Sequence, residues 1–196
     1  WVQIADGLDT VRTITTSRDG TLWVASGTGI HRYQNDGWIT NGTEEGLPAS
    51  IAYAVLQDSA GRTWAGTTRG ISLYHPEADV DPPKATISGE RNLEEAPPGG
   101  EVRLVFSGVD KWKYTPSYRL LFSYCMDGGS WTPFTPANFA SFQRLASGKH
   151  RFEVRAMDRN GNVGLAPAVF AFSVLTPWYK HAGFLFITAA AAIVIL

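Results

Sequence analysis

The side chains with the clearest chemical pattern are Asp158, Asn160 and Asn162, which occupy alternate positions. Oxygen-bearing side chains spaced in this way open calcium-binding loops, where a glycine follows and a bidentate glutamate completes the ligand set. Val163 and Val169 stand at those two positions here. We therefore interpret the run as a polar turn between strands and predict no metal site.

Other residue types that could support catalysis are scattered along the chain. The four histidines, His31, His75, His150 and His181, show no metal-ligand spacing, and the single cysteine, Cys125, is interpreted as a packing residue. The chain has no phosphate-binding loop, no nucleophile elbow and no zinc-protease motif. The carboxylates Asp19, Asp58, Asp110 and Asp127 fall in turn-like segments. We predict no catalytic residue and no cofactor, although a hydrolase carried on the N-terminal part remains open.

The charge balance argues against nucleic acid as a partner. The chain has 17 Lys and Arg against 18 Asp and Glu, whereas nucleic-acid binders usually carry a basic excess. A local basic group, Lys149, Arg151, Arg155 and Arg159, is interpreted as a solvated strand face. The alternative is contact with an anionic partner, lipid headgroups or a second protomer.

Residues 1–80 contain an internal repeat whose period is close to 40. Its equivalent pairs are Gly20 and Gly61, Trp23 and Trp64, Gly29 and Gly70, and Tyr33 and Tyr74, each separated by 41 positions. Strand-like pieces at 11–16 and 51–57 precede the Asp-Gly and Ala-Gly turns, and residues 38–40 are the expected outer strand of the first blade. A repeat of this length with about four short strands is typical of a propeller blade. We interpret each tryptophan as packing between blades, and a ligand-stacking platform is the alternative.

The repeated pattern Gly-Leu, then Asp-Gly-x-Leu-Trp-Val-Ala-x-x-x-Gly-Ile-x-x-Tyr, resembles the two-component-regulator propeller repeat of bacterial sensor proteins over residues 3–76. The resemblance implies that many such repeats close into a propeller. Two repeats are too few for closure, since propellers usually have at least four blades. We therefore expect further propeller sequence before Trp1.

Beyond the proline-containing stretch 79–83, the pattern changes to alternating apolar and polar residues. The apolar sets are Val102, Leu104 and Phe106; Tyr118, Leu120, Phe122, Tyr124 and Met126; Phe152, Val154 and Ala156; and Phe170, Phe172 and Val174. Alternation places one face of each strand in a core and the other in water. Five to seven such strands predict an immunoglobulin-like sandwich.

Several segments of this region resemble the three-tyrosine domain that follows the regulator propeller in membrane sensors. They are Phe106-Ser-Gly-Val-Asp, Tyr118-Arg-Leu-Leu-Phe-Ser-Tyr, Asp127-Gly-Gly-Ser-Trp and Leu145-Ala-Ser-Gly-Lys-His-Arg-Phe-Glu-Val-Arg-Ala, within residues 100–175. The signature positions are Tyr118, Tyr124 and Phe152. Phenylalanine at the third position keeps the ring and lacks the hydroxyl.

The C-terminal residues 182–196 carry no charge. As a helix they would extend roughly 22 Å, which is shorter than the ~30 Å hydrocarbon core. We interpret them as the start of a transmembrane helix, with Trp178, Tyr179 and Lys180 at the membrane interface. A buried C-terminal helix is the alternative.

The expected fold is all-β, with C-terminal propeller blades, an immunoglobulin-like sandwich and the start of a transmembrane α-helix. The expected domains are two repeats (1–78), a linker with the first sandwich strand (79–99), the three-tyrosine sandwich (100–176) and the truncated helix (177–196).

The expected function is the extracytoplasmic sensor segment of a two-component signalling protein in the inner membrane, with residues 1–180 in the periplasm. By resemblance, the ligand is a glycan or another small molecule, the sandwich forms a homodimer, and the output is a cytoplasmic histidine kinase. Membrane lipid is the other expected partner. The ligand-binding residues are not predicted. A membrane-anchored carbohydrate-binding or enzymatic propeller is the main alternative, and an adhesion module is the third.

Overall fold

The computed structural model describes residues 1–5, 7–88, 95–99, 101–180 and 184. The regular elements of these residues are strands and short 3₁₀ helices, so the expectation of an all-β chain is confirmed. The strands are β1 Thr13–Thr16, β2 Leu22–Ser26, β3 Gly29–Gln34, β4 Gly37–Asn41, β5 Ala52–Gln57, β6 Thr63–Thr67, β7 Gly70–Leu73, β8 Lys84–Ser88, β9 Glu95–Ala96, β10 Glu101–Val109, β11 Leu121–Met126, β12 Phe139–Gln143, β13 Gly148–Met157 and β14 Ala168–Val174. The 3₁₀ helices are Thr43–Glu45, Pro76–Ala78, Lys111–Lys113, Ser117–Arg119 and Trp178–Lys180.

The first repeat forms a four-stranded antiparallel meander in the order β1-β2-β3-β4, which we call the first meander. Its last hairpin turns at Asn35 and Asp36, which both have positive φ angles of 51° and 58°. Two consecutive residues of this kind form the tight turn that suits the twist of a β-hairpin. The strands predicted around 11–16 and 38–40 are confirmed as β1 and β4.

The second repeat forms the second meander, β5-β6-β7, and packs on the first. Their shared core contains Trp23, Ala25, Ile30, Ala52, Val55 and Ala65. Neither sheet is closed, and the propeller itself remains a prediction.

The C-terminal part, which we call the two-sheet unit, consists of the sheets β12-β10-β8 and β11-β13-β14-β9. One core lies between them, and Leu104, Phe106, Phe152 and Val154 are fully buried in it. Burial alternates along the whole of β10, as predicted. The immunoglobulin-like topology remains a prediction.

The segment 118–126 departs from the predicted alternation. Tyr118 and Arg119 lie in a 3₁₀ helix, and β11 begins only at Leu121. Ser123 and Cys125 are buried although the pattern assigned their face to solvent. The physical reason is that residues 131–135 run beside β11, where the Ser123 hydroxyl donates a hydrogen bond to the Thr132 carbonyl over 2.6 Å.

Residues 79–83 connect the meanders to the two-sheet unit without regular structure, and β8 follows them at the edge of β10. At the other end, Trp178–Lys180 forms the last 3₁₀ helix. Of the predicted membrane helix at 177–196, the structure describes only residues 177–180 and Phe184, and the rest lies outside the described residues. Within the described ranges, no helix has the length and apolar character needed to span a bilayer.

Candidate functional site at the junction

A cavity of about 270 Å³ lies where the two meanders, the connecting segment and the two-sheet unit meet. Each part contributes to its wall. Trp23, Asn41, Glu45 and Tyr74 come from the meanders and their connection, Ala78 from the 3₁₀ helix after the second meander, Asp79 from the connecting segment, and Tyr114, Arg159 and Asn160 from the two-sheet unit. A molecule bound in this cavity would therefore contact all parts of the chain at once.

The wall combines ring faces with polar groups. Trp23 and Tyr74 meet edge to face, with ring centroids 5.4 Å apart. The buried Asn41 carboxamide oxygen has no hydrogen-bond partner among the described residues. Small-molecule pockets generally consist of an apolar wall with a few polar groups of this kind, in volumes of about 300–1,000 Å³. The cavity, at about 270 Å³, falls just below that range, so it has room for one small molecule or the end unit of a longer one.

Arg32 is a buried side chain that connects the three parts around the cavity. Its guanidinium lies 4.9 Å from the ring centre of Tyr74 and donates a hydrogen bond to the Tyr74 hydroxyl. Its other terminal nitrogen donates to the Arg159 carbonyl over 2.8 Å. Arg32 on β3 is thereby bonded to both the second meander and the two-sheet unit.

Ion pairs join the connection between the meanders to the two-sheet unit. Arg119 pairs with Glu44 and Glu45 at 2.9 Å each and donates to the Thr40 carbonyl over 2.7 Å. Arg159 approaches the same Glu45 oxygen at 3.4 Å. Because the Glu45 side chain is only 7% exposed, solvent screens these pairs less than it screens surface pairs.

An apolar contact reinforces the same junction. Ile39 on β4 packs with Phe134 and Met157 of the two-sheet unit. The Phe134 amide also donates to the Asp36 carbonyl over 2.9 Å, and Gly37 pairs with Phe134 in a parallel bridge. The contact between the first meander and the two-sheet unit thus includes backbone, apolar and charged groups.

The predicted polar turn at 158–162 lies at the edge of the cavity. The Asp158 carboxylate accepts hydrogen bonds from the amides of Asn160 and Asn162 over 2.8 and 2.9 Å. Both asparagine side chains donate to the Asp79 carbonyl over 3.0 Å. The turn therefore holds the connecting segment by its backbone.

Three buried carboxylates, Asp79, Asp110 and Asp158, come together beside this turn, with one oxygen of each within 4.8 Å of the others. Burial raises the pKa of Asp158 and of Asp79, because removal from water disfavours the charged form. None of the three forms an ion pair within the described part of the chain.

The repeat-signature residues do not form a site of their own. Trp23 is buried, and its indole donates to the Ser17 hydroxyl over 3.1 Å; the half-buried Trp64 indole donates to Asp58 over 2.9 Å. Each tryptophan is thus bonded to the turn of its own repeat. Gly20, Gly29, Gly61 and Gly70 all have positive φ, which accounts for glycine at those positions.

The two tyrosines of the repeat signature, Tyr33 and Tyr74, differ in environment. Tyr74 contributes to the cavity wall. Tyr33 lies outside it, where its ring centre is 5.3 Å from that of Trp38.

The three-tyrosine positions are brought together only in part. The rings of Tyr124 and Phe152 lie 5.5 Å apart within the core of the two-sheet unit. Tyr118 is 75% exposed in its 3₁₀ helix, away from that core. The trio therefore forms no common pocket.

The local basic group contains three different environments besides the exposed Lys149. Arg151 pairs with Glu153 at 2.5 Å, and Arg155 lies over the ring of Trp131 at 4.4 Å. Arg159 belongs to the junction. The interpretation as one solvated face is accordingly wrong for Arg155 and Arg159, whose side chains cover protein groups.

The predicted membrane-interface residues lie together at the end of the described chain. Trp178 and Tyr179 are exposed, and the Trp178 ring lies 4.8 Å from that of Phe184. Lys180 closes the same 3₁₀ helix.

Of the residues in and around the cavity wall, sequence reasoning singled out Trp23, Tyr74, Arg159 and Asn160 and missed Arg32, Asn41, Glu45 and Asp79. For Arg32 one signal was present. Arg32 aligns with Leu73 in the second repeat, so an arginine replaces an apolar residue inside an otherwise regular pattern. Asn41, Glu45 and Asp79 carry no such signal, because their neighbours in space are distant in sequence.

Known proteins similar to this chain are found only among solved structures. No protein-family model matches the chain, and no curated protein matches it. Among solved structures, it is similar to the extracellular domain of the "putative hybrid two component system BT3049" from B. thetaiotaomicron, with 18% identity and a TM-score of 0.47 over 85% of this chain and 26% of that one. It is also similar to the extracellular domain of the "putative one component system BT4673" from the same organism, with 14% identity and a TM-score of 0.35 over 87% of this chain and 30% of that one. A third similar structure is that of the fibronectin(III)-like modules of Clostridium thermocellum CbhA, with 15% identity and a TM-score of 0.39 over 90% of this chain and 95% of that one. The chain spans less than a third of the length of either sensor domain.

Proposed function

We propose that this chain is an extracytoplasmic sensor segment, in which a small ligand binds the junction cavity and the two-sheet unit transmits the change toward the membrane. The observation that carries the proposal is the composition of the cavity wall, which draws residues from both meanders, the connecting segment and the two-sheet unit. A ligand can shift an equilibrium only when it binds the two states differently. We propose that the bound ligand changes how these parts sit against one another, which would meet this condition.

The chemistry of the wall favours a neutral, hydroxyl-rich ligand. Tyr74 and Tyr114 offer ring faces, while Asn41 and Asn160 offer carboxamide groups. The charges of Glu45, Asp79 and Arg159 are mixed in sign, which gives no general preference for an anion. A terminal sugar unit of a glycan suits this combination and agrees with the ligand class that the sequence resemblance implies.

In the proposed arrangement, the two-sheet unit forms a homodimer beside the membrane, and the segment after Pro177 enters the bilayer. The proposed output is a cytoplasmic histidine kinase. These assignments are supported by the order of the resembled segments along the chain and by the aromatic residues Trp178 and Tyr179 at the end of the two-sheet unit.

Ligand binding can be tested by calorimetric titration with mono- to tetrasaccharides of glucose, galactose, mannose, xylose and arabinose. Ala78→Trp places a large side chain at an exposed position of the cavity wall and should abolish binding of any active sugar. The matched control is Val80→Trp, at an exposed position outside the wall, which should bind like the wild type. If Ala78→Trp and Val80→Trp bound the sugar equally well, the ligand would bind outside this cavity.

Transmission requires a separate measurement on the membrane-embedded full-length protein. Pro177→Cys should form a disulfide-linked dimer whose yield changes when the active sugar is added, and adding Ala78→Trp should remove that change. Native Cys125 is buried, so it should not compete. Sugar binding with an unchanged cross-linking yield would instead favour an anchored carbohydrate-binding protein.

A further inference from the structure

The three carboxylates beside the cavity present an unusual electrostatic arrangement. Asp79 lies at the start of the connecting segment, Asp110 directly follows β10, and Asp158 directly follows β13. Their relative exposures are 7%, 2% and 1%. Buried carboxylates repel one another strongly, so a stable fold needs a compensating positive charge or bound protons.

Hydrogen-bond accounting leaves two of these oxygens without a donor. Asp79 Oδ1 accepts from the Asp81 amide over 3.1 Å, and Asp110 Oδ2 accepts from the Thr115 amide over 2.7 Å. The second oxygen of each, Asp79 Oδ2 and Asp110 Oδ1, is fully buried and has no partner among the described residues. Buried polar atoms are nearly always satisfied by a protein group, water or an ion.

The neighbouring cations are engaged elsewhere. The Lys111 ammonium pairs with Asp81 at 2.8 Å, and the Arg159 guanidinium contacts Glu45. The Asn162 carboxamide nitrogen donates to Asp158 Oδ2 over 2.8 Å, which neutralises no charge. The described cations near the cluster are thus used elsewhere, so its charge must be balanced by bound protons or by a cation that binds from solution.

We propose that Asp79, Asp110 and Asp158 bind a calcium ion that fastens the connecting segment to the two-sheet unit. Carboxylate oxygens are the ligands that Ca²⁺ prefers, at about 2.3–2.6 Å. Two ligands on one Ca²⁺ can thus be up to about 5 Å apart, which the separation of no more than 4.8 Å in this cluster satisfies. Mg²⁺ needs near-ideal octahedral geometry and usually keeps several waters, which a buried site suits less well.

The site differs from the calcium loop that Asp158, Asn160 and Asn162 imitate in sequence. Their spacing would require all ligands to come from one loop, whereas Asn160 and Asn162 donate to the Asp79 carbonyl. The cluster instead takes one carboxylate from each of three distant segments. Asp79 and Asn160 also line the cavity, so the cluster lies beside it. The inference does not depend on what the cavity itself binds.

The test is a calcium titration of the chelator-treated chain, followed by calorimetry and thermal unfolding. Wild type should bind one Ca²⁺, and its Tm should rise by about 5–10 °C at a Ca²⁺ concentration 100 times the Kd. Asp110→Asn keeps an oxygen for the Thr115 amide and should weaken Ca²⁺ binding at least 100-fold. In chelator the same variant should be at least as stable as wild type, since it removes a repelling charge.

Asp79→Asn serves as the second variant and should show the same pair of effects. The matched control is Asp81→Asn, which removes a half-buried carboxylate two residues away that pairs with Lys111 and should keep the full response to Ca²⁺. Absence of any Ca²⁺ response in wild type, or a full response in Asp110→Asn and Asp79→Asn, would overturn the proposal. An equal response to Mg²⁺ would overturn the choice of calcium.

Discussion

At the scale of single residues, Phe152 is the position where the resembled signature and the packing can be compared directly. Its ring is fully buried among Phe106, Tyr124 and Phe142, at centroid distances of 5.5–5.9 Å. Phe152→Tyr would restore the signature tyrosine by adding a hydroxyl to this aromatic core. We expect it to lower the free energy of unfolding by about 1–3 kcal/mol, because the core must expand and the hydroxyl lacks a partner.

Urea denaturation monitored by circular dichroism measures this change. Tyr118→Phe is the matched control, since it makes the reverse change at an exposed position and should leave the midpoint within error. A Phe152→Tyr protein as stable as wild type would mean that a hydrogen-bond acceptor reaches that ring.

Two histidines, His150 and His31, should make the stability of the folded chain depend on pH in opposite directions. The His150 ring donates from Nε2 to the Ala146 carbonyl and from Nδ1 to the Asp127 carboxylate, each over 2.8 Å, and it can make both bonds only when it is protonated. The Ala146 carbonyl and then Asp127 raise its pKa, since both favour the protonated ring. Its stabilising effect is present below the unfolded pKa of about 6.5 and is lost as the pH rises through the folded-state pKa.

His150→Gln should therefore destabilise the chain by about 1 kcal/mol more at pH 6 than at pH 9, a value kept small because Asp127 is 46% exposed.

Buried His31 provides the contrast, because burial lowers its pKa. Wild type should lose the His31 contribution as the pH falls below about 6.5, so His31→Gln should cost less at low pH. Urea titrations at several pH values measure both, and parallel pH profiles for the two variants would contradict this assignment.

At the scale of elements, the sequence predicted what depends on local periodicity. The alternation of Val102, Leu104 and Phe106 predicted the buried face of β10 because that strand packs only one face on the core. The same reasoning failed at β11, where Ser123 and Cys125 are covered by a segment about ten residues further on. Periodicity reports which face is apolar, but it cannot report what covers the other face.

Gly37 at the start of β4 shows why one element needs a particular residue. A β-carbon there would lie 2.7 Å from Phe134 Cβ and 2.8 Å from Met157 Cε, closer than real contacts allow. Phe134 cannot yield easily, because its backbone is bonded to Asp36. Gly37→Ala should thus push β4 from the two-sheet unit and lower the free energy of unfolding by about 1–3 kcal/mol.

Thermal unfolding of the variant, with Gly66→Ala as a matched control, tests this expectation. Gly66 lies within β6, where a β-carbon would meet nothing closer than 4.0 Å, so that substitution should cost far less. Similar losses in the two variants would indicate a general effect of strand glycines rather than a close contact at the junction.

At the scale of the whole molecule, the contacts that join its parts were beyond prediction from the sequence. Arg119 meets Glu44 across 75 positions, and Arg32 meets Arg159 across 127. No local pattern links such pairs. The composition of the chain predicts turns and cores, whereas the junction depends on how the finished meanders and sheets come together.

The same contacts predict how the chain unfolds. The double variant Arg119→Ala, Arg159→Ala removes the cationic partners of the nearly buried Glu45 and should lower stability by about 1–3 kcal/mol. More informatively, it should separate one calorimetric transition into two, because the apolar contact of Ile39 with Phe134 is small beside the cores on either side. Arg62→Ala is the matched control, since its exposed pair with Asp58 lies within one meander and should leave a single transition. A single transition in the double variant would mean that the contacts it leaves, at Gly37 and Phe134 and between Arg32 and the Arg159 carbonyl, are sufficient to couple the two halves.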